Sequence, residues 1–409
     1  MWRRFRSVGG LLLVSALLLA ACGGAKTAGG AVGGPTDAAG GGTQSEPAQV
    51  GAGGTSGGGA TGEPIKVGAV FILSGASSGY GISQRAGVEL AMADINAAGG
   101  INGRPVEVIF EDSQGSGDQA ITAVRKLIDR DEVVAIIGPT LSTEMFSAGP
   151  VANDSGVPIL GVSTTVPGIT DIGEYVFRNS LPEAKVIPHT VARSVERFGI
   201  KRAAVLYAND DDVSRSGAEI FKAELQKNGV EIVDEATFSV KDTEFGPQIT
   251  KVMASHPDAF FISTLYNSAA LLMVQARQAG YTGHFIGGNG FNSPALIEVG
   301  RDAVEGAVVG SPWFVGRNDP RVQKFVSDHT AKMGKGPDQF AAQAYDGMML
   351  IAEALKAAGS TDRDAVRNAL AAIRDYEGVT GKFSFDENRD PVMTPNILQI
   401  RDGKYVELD

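Results

Sequence analysis

The chain has 409 residues, with 36 Lys and Arg against 47 Asp and Glu, a formal net charge of −11 at pH 7. An acidic balance of this size excludes nucleic acid and anionic lipid surfaces as partners held by charge. The single cysteine, Cys22, leaves no pair for a disulfide, so stability must come from a core, and the length suffices for two domains of ordinary size.

At the N-terminus, Arg3, Arg4 and Arg6 precede an apolar run from Leu11 to Leu19 that ends in Leu19-Ala20-Ala21-Cys22. A positive start, a short apolar core and small residues before a cleavage point mark an export signal, too short to span a bilayer as a finished helix. Leu-Ala-Ala-Cys resembles the lipobox of bacterial lipoproteins, whose cysteine is acylated and becomes the new N-terminus. Residues 1–21 are therefore expected to be a signal peptide and Cys22 the lipidation site; the alternative is an ordinary signal with an incidental cysteine, a liability in an oxidising envelope. Residues 22–63 are built from Gly, Ala, Thr, Ser and Pro and cannot bury enough apolar surface to fold. Random-coil scaling gives such a tether a mean reach of roughly 35 Å. No later stretch reaches membrane-spanning length, so the expected place is the cell envelope outside the cytoplasm, with lipid as the only membrane contact.

Beyond the tether, short β-branched runs alternate with stretches of helical period. Strands are expected at Ile65–Leu73, Val106–Glu111, Val133–Ile137, Val157–Val162, Ala203–Tyr207, Ala259–Ser263 and His284–Gly287. Helices are expected between them at Gln84–Ala97, Asp118–Asp129, Ser214–Lys227, Phe245–Ser255 and Ser268–Gly280. Continuous apolar strands separated by helices give parallel sheets covered on both faces, an α/β fold. The pattern turns mainly helical from Pro320 to Ile373, with start signals at Asp319-Pro320 and Pro337-Asp338, then to short strands and turns from Gly381 to Leu408. An irregular tract at Arg178–Pro182 precedes a second run of βα units, which implies two similar α/β lobes with repeated crossings between them.

In open parallel sheets, ligands bind beyond the carboxyl ends of the strands. Three loops there are rich in small residues: Ser74-Gly75-Ala76-Ser77-Ser78-Gly79-Tyr80-Gly81, Gly138-Pro139-Thr140-Leu141-Ser142-Thr143, and Ser163-Thr164-Thr165. A hydroxyl at a helix start serves equally as an N-cap. Two such loops on neighbouring strands, with exposed N–H groups and a helix dipole, can hold a carboxylate without any basic side chain.

With Gly68-Ala69-Val70-Phe71-Ile72-Leu73-Ser74-Gly75, Asp94-Ile95-Asn96-Ala97-Ala98-Gly99-Gly100-Ile101-Asn102-Gly103, Ile136-Ile137-Gly138-Pro139 and Gln275-Ala276-Arg277-Gln278-Ala279-Gly280, the chain resembles the substrate-binding proteins of branched-chain amino-acid ABC importers from Ile65 to Leu408. The resemblance implies two Rossmann-like lobes with parallel sheets, joined by a multi-strand hinge and closing on a ligand between them. The lobes would comprise 64–180 with 313–393 and 181–312 with 394–409. By the same resemblance Ser142, Ser163 and Thr165 would bind the ligand carboxylate, Tyr80 would line the cleft from the same lobe, Tyr266 would approach from the second lobe, and Thr143, Asn289 and Gly290 would also be ligand-binding. Either tyrosine could instead simply pack against apolar neighbours. Two positions depart from the pattern: Val213 stands where a tyrosine is frequent, and Asn289 where an acid commonly receives the ammonium. Asp210–Asp212 could supply that charge, although an acidic run before a helix more often forms a solvated first turn.

Gly75-Ala76-Ser77-Ser78-Gly79 matches Gly-x-Ser-x-Gly, but a nucleophile elbow needs a sharp strand-to-helix turn, and helical period begins only near Gln84. His189, His256, His284 and His329 are scattered, and no calcium-loop pattern surrounds the acidic runs. The expectation is a binding protein with neither catalysis, cofactor nor metal, which takes a small carboxylate-bearing ligand, an amino acid or a relative, and passes it to ABC permease subunits. The alternatives are a sensory binding lobe and an importer component for a deaminated or aromatic acid, an amide or a polyol.

Overall fold

A computed structural model describes residues 62–408; the leader, Cys22 and the tether as far as Thr61 lie outside the described residues. The chain first lays down β1 (Ile65–Phe71), α1 (Ser78–Ala97), β2 (Val106–Asp112), α2 (Gly117–Asp129), β3 (Ala135–Ile137), α3 (Ser142–Asp154), β4 (Ile159–Gly161) and β5 (Val176–Arg178). It crosses to a second lobe with α4 (Glu183–Phe198), β6 (Arg202–Ala208), α5 (Asp212–Lys227), β7 (Glu231–Phe238), α6 (Gly246–Met253), β8 (Ala259–Ser263), α7 (Tyr266–Gln278), β9 (His284–Gly287), α8 (Pro294–Gly300) and β10 (Val308–Ser311). It returns to the first lobe for α9 (Pro320–Met333), α10 (Gln339–Ala358), α11 (Arg363–Ala371) and the hairpin β11 (Tyr376–Gly378) and β12 (Gly381–Phe383). It ends in the second lobe with β13 (Asn396–Arg401) and β14 (Lys404–Glu407).

The first sheet is parallel throughout, in the order β2-β1-β3-β4-β5. The second runs β7-β6-β8-β9-β10, the same order counted from its own first strand, and adds β13 and β14 antiparallel at one edge. Central strands are apolar on both faces because helices cover both: Val67, Ala69, Val70 and Phe71 of β1, and Phe260, Phe261 and Ile262 of β8, are fully buried. Each sheet accordingly separates two cores. In this strand order the connections on either side of the first strand leave in opposite directions, which opens a crevice beyond the carboxyl ends of the first and third strands. Each lobe presents one crevice, at β1/β3 and at β6/β8.

The expected α/β architecture of two lobes is the one found. Four of the described strands, β5, β7, β10 and β11, escaped the sequence pattern. β5 and β10 are only three and four residues long, and β7 carries Glu231, Asp234 and Glu235 on an edge where only part of it is buried. The start of α1 is a correction: it begins at Ser78, not near Gln84. The glycines there serve close packing and not an open loop, since a Cβ on Gly81 would lie 2.1 Å from the Ile72 carbonyl oxygen. The expected spacing against a nucleophile elbow is corrected with it. Ser77 does stand at a helix start, yet Ile72–Ala76 separate it from β1, which is too long for a sharp strand-to-helix turn.

Candidate functional site

On the first lobe, the three loops are tied together below their surface. The Ile72 N–H donates to Thr140 Oγ1 at 3.1 Å, Thr140 Oγ1 donates to Gln84 Oε1 at 2.7 Å, and Gln84 Nε2 donates to Ser163 Oγ at 2.7 Å. Ser163 Oγ in turn donates to the Thr140 carbonyl. The Ser163 hydroxyl is therefore fully engaged within the lobe. Ser142, the first residue of α3, uses its Oγ to accept from the Val166 N–H at 3.2 Å and keeps its proton. Thr165 is buried, and its Oγ1 has no hydrogen-bond partner among the described residues.

A residue that sequence reasoning missed sets this loop. Arg178 is 2% exposed; it donates to Asp390 from Nε at 2.6 Å and from Nη2 at 2.8 Å, and its Nη1 donates to the carbonyls of Thr164 and Val166 at 3.1 and 2.6 Å. A two-toothed pair of this kind fixes orientation as well as position. Asp390 comes from the segment between the two last crossings, so only the folded chain brings the two together.

The second lobe contributes acids. Among the three aspartates, Asp210 and Asp212 bond locally to Ser239 and Arg215 on the surface, the solvated turn expected of such a run. Asp211 departs from it. It is 5% exposed, caps α5 through Ser214, and accepts from Thr143 Oγ1 of the other lobe at 3.4 Å. Burial first, and then Asp212, pushes its carboxyl above the usual range against the bonds from Ser214. Glu183, the first residue of α4, was not singled out in the sequence at all. It accepts from the Asn289 N–H at 2.8 Å through Oε1, while Oε2 is buried without a partner among the described residues. Burial pushes it up to about 7, the Asn289 N–H opposing and Asp211 adding to the rise. Any cue in the sequence was faint, a Pro-Glu at a helix start, which usually serves the helix dipole.

Tyr80 joins the lobes. Its hydroxyl donates to the Gly290 carbonyl at 2.9 Å and accepts from the Tyr266 N–H at 2.9 Å, both in the second lobe. Its ring lies edge-on to Tyr266 with centroids 4.9 Å apart, and 4.7 Å from Phe340. The Tyr266 hydroxyl returns the contact by donating to the Ala76 carbonyl at 2.8 Å. Asn289 Oδ1 accepts from Gln339 Nε2 at 2.6 Å, a further tie across the cleft. Around these ties lies a small cavity of about 20 Å³ lined by Tyr80, Thr140, Leu141, Ser163, Val213, Leu265, Asn289, Gly290 and Phe340. Of the expected site residues, Tyr80, Ser163, Asn289 and Gly290 line it. Ser142, Thr143, Thr165 and Tyr266 stand behind or beside it. Val213 supplies an aliphatic wall where a tyrosine would have filled space.

A family model described as periplasmic binding protein matches residues 64–404. The chain belongs to the periplasmic binding protein family. Among its relatives, the leucine-, isoleucine-, valine-, threonine- and alanine-binding protein of Pseudomonas aeruginosa is 28% identical over 312 residues, 76% of this chain and 83% of that protein. The crystal structure of a leucine-binding protein from Thermotoga maritima superposes with a TM-score of 0.80 at 27% identity, covering 84% of this chain and 98% of the other. The branched-chain amino acid transporter substrate-binding protein of Streptococcus pneumoniae, solved in complex with isoleucine, gives 0.80 at 29% identity over 84% and 97%. The family is one of solute-binding proteins that act outside the cytoplasm, and no helix among the described residues is long and apolar enough to cross a membrane.

Proposed function

We propose that the chain is the solute-binding component of an ABC importer for a small aliphatic amino acid, held between the lobes and delivered to permease subunits. The observation that carries this reading is the cavity at the facing crevices of two like sheets. Its walls are largely apolar, from Leu141, Val213, Leu265 and Phe340, and with room for about one water it must widen as the lobes part to admit an amino acid. Ser142, Thr143 and Thr165 at the start of α3 and beside it take the carboxylate, together with the orphan N–H groups of that helix. Ser163 acts from beneath by fixing the loop. The relatives' named ligands, leucine and isoleucine among them, have the apolar side chain that such walls suit. The lobes comprise 64–180 with 313–393 and 181–312 with 394–409, with the hinge at the three crossings. Acylated Cys22 holds the protein at the membrane, and the acidic tether residues and lobes leave nucleic acid out of its partners.

Calorimetric titration of the chain with L-leucine, L-isoleucine and L-valine tests the reading. Thr165→Ala is expected to weaken binding by about 1.5 kcal/mol, the worth of one hydrogen bond to a charged acceptor, with an unchanged Tm. Ser163→Ala is expected to lower Tm, because it breaks the Gln84–Thr140 network. Unaltered affinity in Thr165→Ala would remove the carboxylate from this loop.

A further inference from the structure

The start of α3 already holds a carboxylate of its own. Leu141 precedes the helix and brings no side-chain acceptor to its first N–H groups, and Glu144, one turn on, reaches back to accept from the Leu141 N–H at 2.8 Å through Oε2. Glu144 is 0% exposed, and its Oε1 is buried without a hydrogen-bond partner among the described residues. Ser113 Oγ lies beside that carboxyl and is likewise without a partner, so a proton on Oε1 has an acceptor at hand. The charged groups that face this helix start are acids: Asp112, at the end of β2, bears on Glu144, and Asp211 of α5 meets Thr143. Leu141 itself lines the cleft cavity, so a single residue separates the Glu144 carboxyl from the space between the lobes.

We propose that capture of the amino acid requires a proton on Glu144, taken up from solvent as the ligand carboxylate settles on the same helix start. The inference rests on the carboxylate reading above and adds its regulation by pH. Two negative charges behind and in front of one helix start, away from water, disfavour each other, and the group free to neutralise is the one with an uncommitted oxygen. Oε2 keeps the Leu141 N–H, Oε1 takes the proton, and the ligand alone then draws on the helix dipole. The raised titration of Glu144 fits. Burial pushes it up to about 7, Asp112 adding to the rise and Ser113 with the Leu141 and Thr140 N–H groups opposing it, so the proton is at hand near neutral pH and costs progressively more above it. The protein therefore holds its ligand more tightly in acid surroundings than in alkaline ones.

The test is calorimetric titration of the chain with L-leucine at pH 6, 7 and 8, in buffers of different ionisation enthalpy so that proton exchange is counted directly. The wild-type chain is expected to bind roughly tenfold more weakly at pH 8 than at pH 6, and to take up about one proton on binding at pH 8. Glu144→Gln keeps an oxygen for the Leu141 N–H and removes the charge; it is expected to bind at pH 8 as tightly as at pH 6, with no proton uptake. Ser113→Ala, which removes a hydroxyl that favours the charged form, is expected to move the midpoint of the pH dependence upward, and serves should Glu144→Gln fold poorly by its Tm. Affinity independent of pH in the wild type, or a pH dependence that persists unchanged in Glu144→Gln, would overturn the assignment of Glu144 and leave the carboxylate reading standing. L-Leucinol, with a hydroxyl in place of the carboxylate, separates the two: a chain that binds leucinol as tightly as leucine, or binds neither, contradicts the carboxylate reading itself and the proposal with it.

Discussion

The two lobes share one strand order and bring opposite chemistry to the cleft. The first lobe offers hydroxyls and helix N–H groups, held by a closed network of Gln84, Thr140 and Ser163 and by the Arg178–Asp390 pair. The second offers two buried carboxylates, one with an idle oxygen. Fold alone therefore does not set what the crevice accepts; the residues placed at each crevice do.

The largest effect expected from breaking this contrast is on the first lobe. Asp390→Ala leaves the Arg178 guanidinium buried without its carboxylate, at a cost of about 3 kcal/mol or more, read as a lower midpoint in urea; an unchanged midpoint would show that the pair does not support the Thr164–Val166 loop. Next comes the pH dependence of the second lobe. Glu183 has an ordinary value near 4.5 and is raised to about 7 in the folded chain, so between these values the folded state keeps a proton that the unfolded chain releases. Its contribution is fully present below 4.5 and is lost as pH rises through 7. Glu144 in α3, raised to about 7 chiefly by burial, and Asp346 in α10, raised to about 6, act in the same direction. Stability of the ligand-free chain should fall between pH 4.5 and 8, and Glu183→Gln should lessen the fall by on the order of 3 kcal/mol. Identical slopes in the two chains would contradict the raised titration of Glu183. A smaller effect belongs to the contact between the lobes. Tyr80→Phe keeps the ring but leaves the Tyr266 N–H and the Gly290 carbonyl unpaired when the lobes are closed, shifting the balance toward the open form by about 2 kcal/mol. The small-angle scattering radius of the ligand-free variant should exceed that of the wild type; equal radii would show that the bonds of Tyr80 do not hold the lobes together.

Much of the fold was legible because its signals are local. Apolar runs such as Ala259–Ser263 announce buried parallel strands, and Asp319 and Asp338 cap helices as their positions before Pro320 and Gln339 suggested. The site was legible only in part, because its decisive features depend on contacts far apart in the chain. Ser163 and Thr165 look alike in sequence, yet one hydroxyl is consumed by a bond from α1 and the other is left over. Glu183 meets Asn289 across 106 residues of sequence, and Arg178 meets Asp390 across 212; no periodicity or local motif carries such pairings. The tract around Tyr80 misled for a different reason. Its glycines allow the close approach of α1 to Ile72 and to the Tyr266 hydroxyl, which sequence alone does not distinguish from a flexible loop.

The most direct test of the central claim is a crystal structure of the chain with L-leucine bound. The carboxylate is expected against the start of α3 near Ser142 and Thr165, with the side chain between Leu141, Val213, Leu265 and Phe340. A ligand whose carboxylate lies away from α3 would contradict the carboxylate reading of the first lobe.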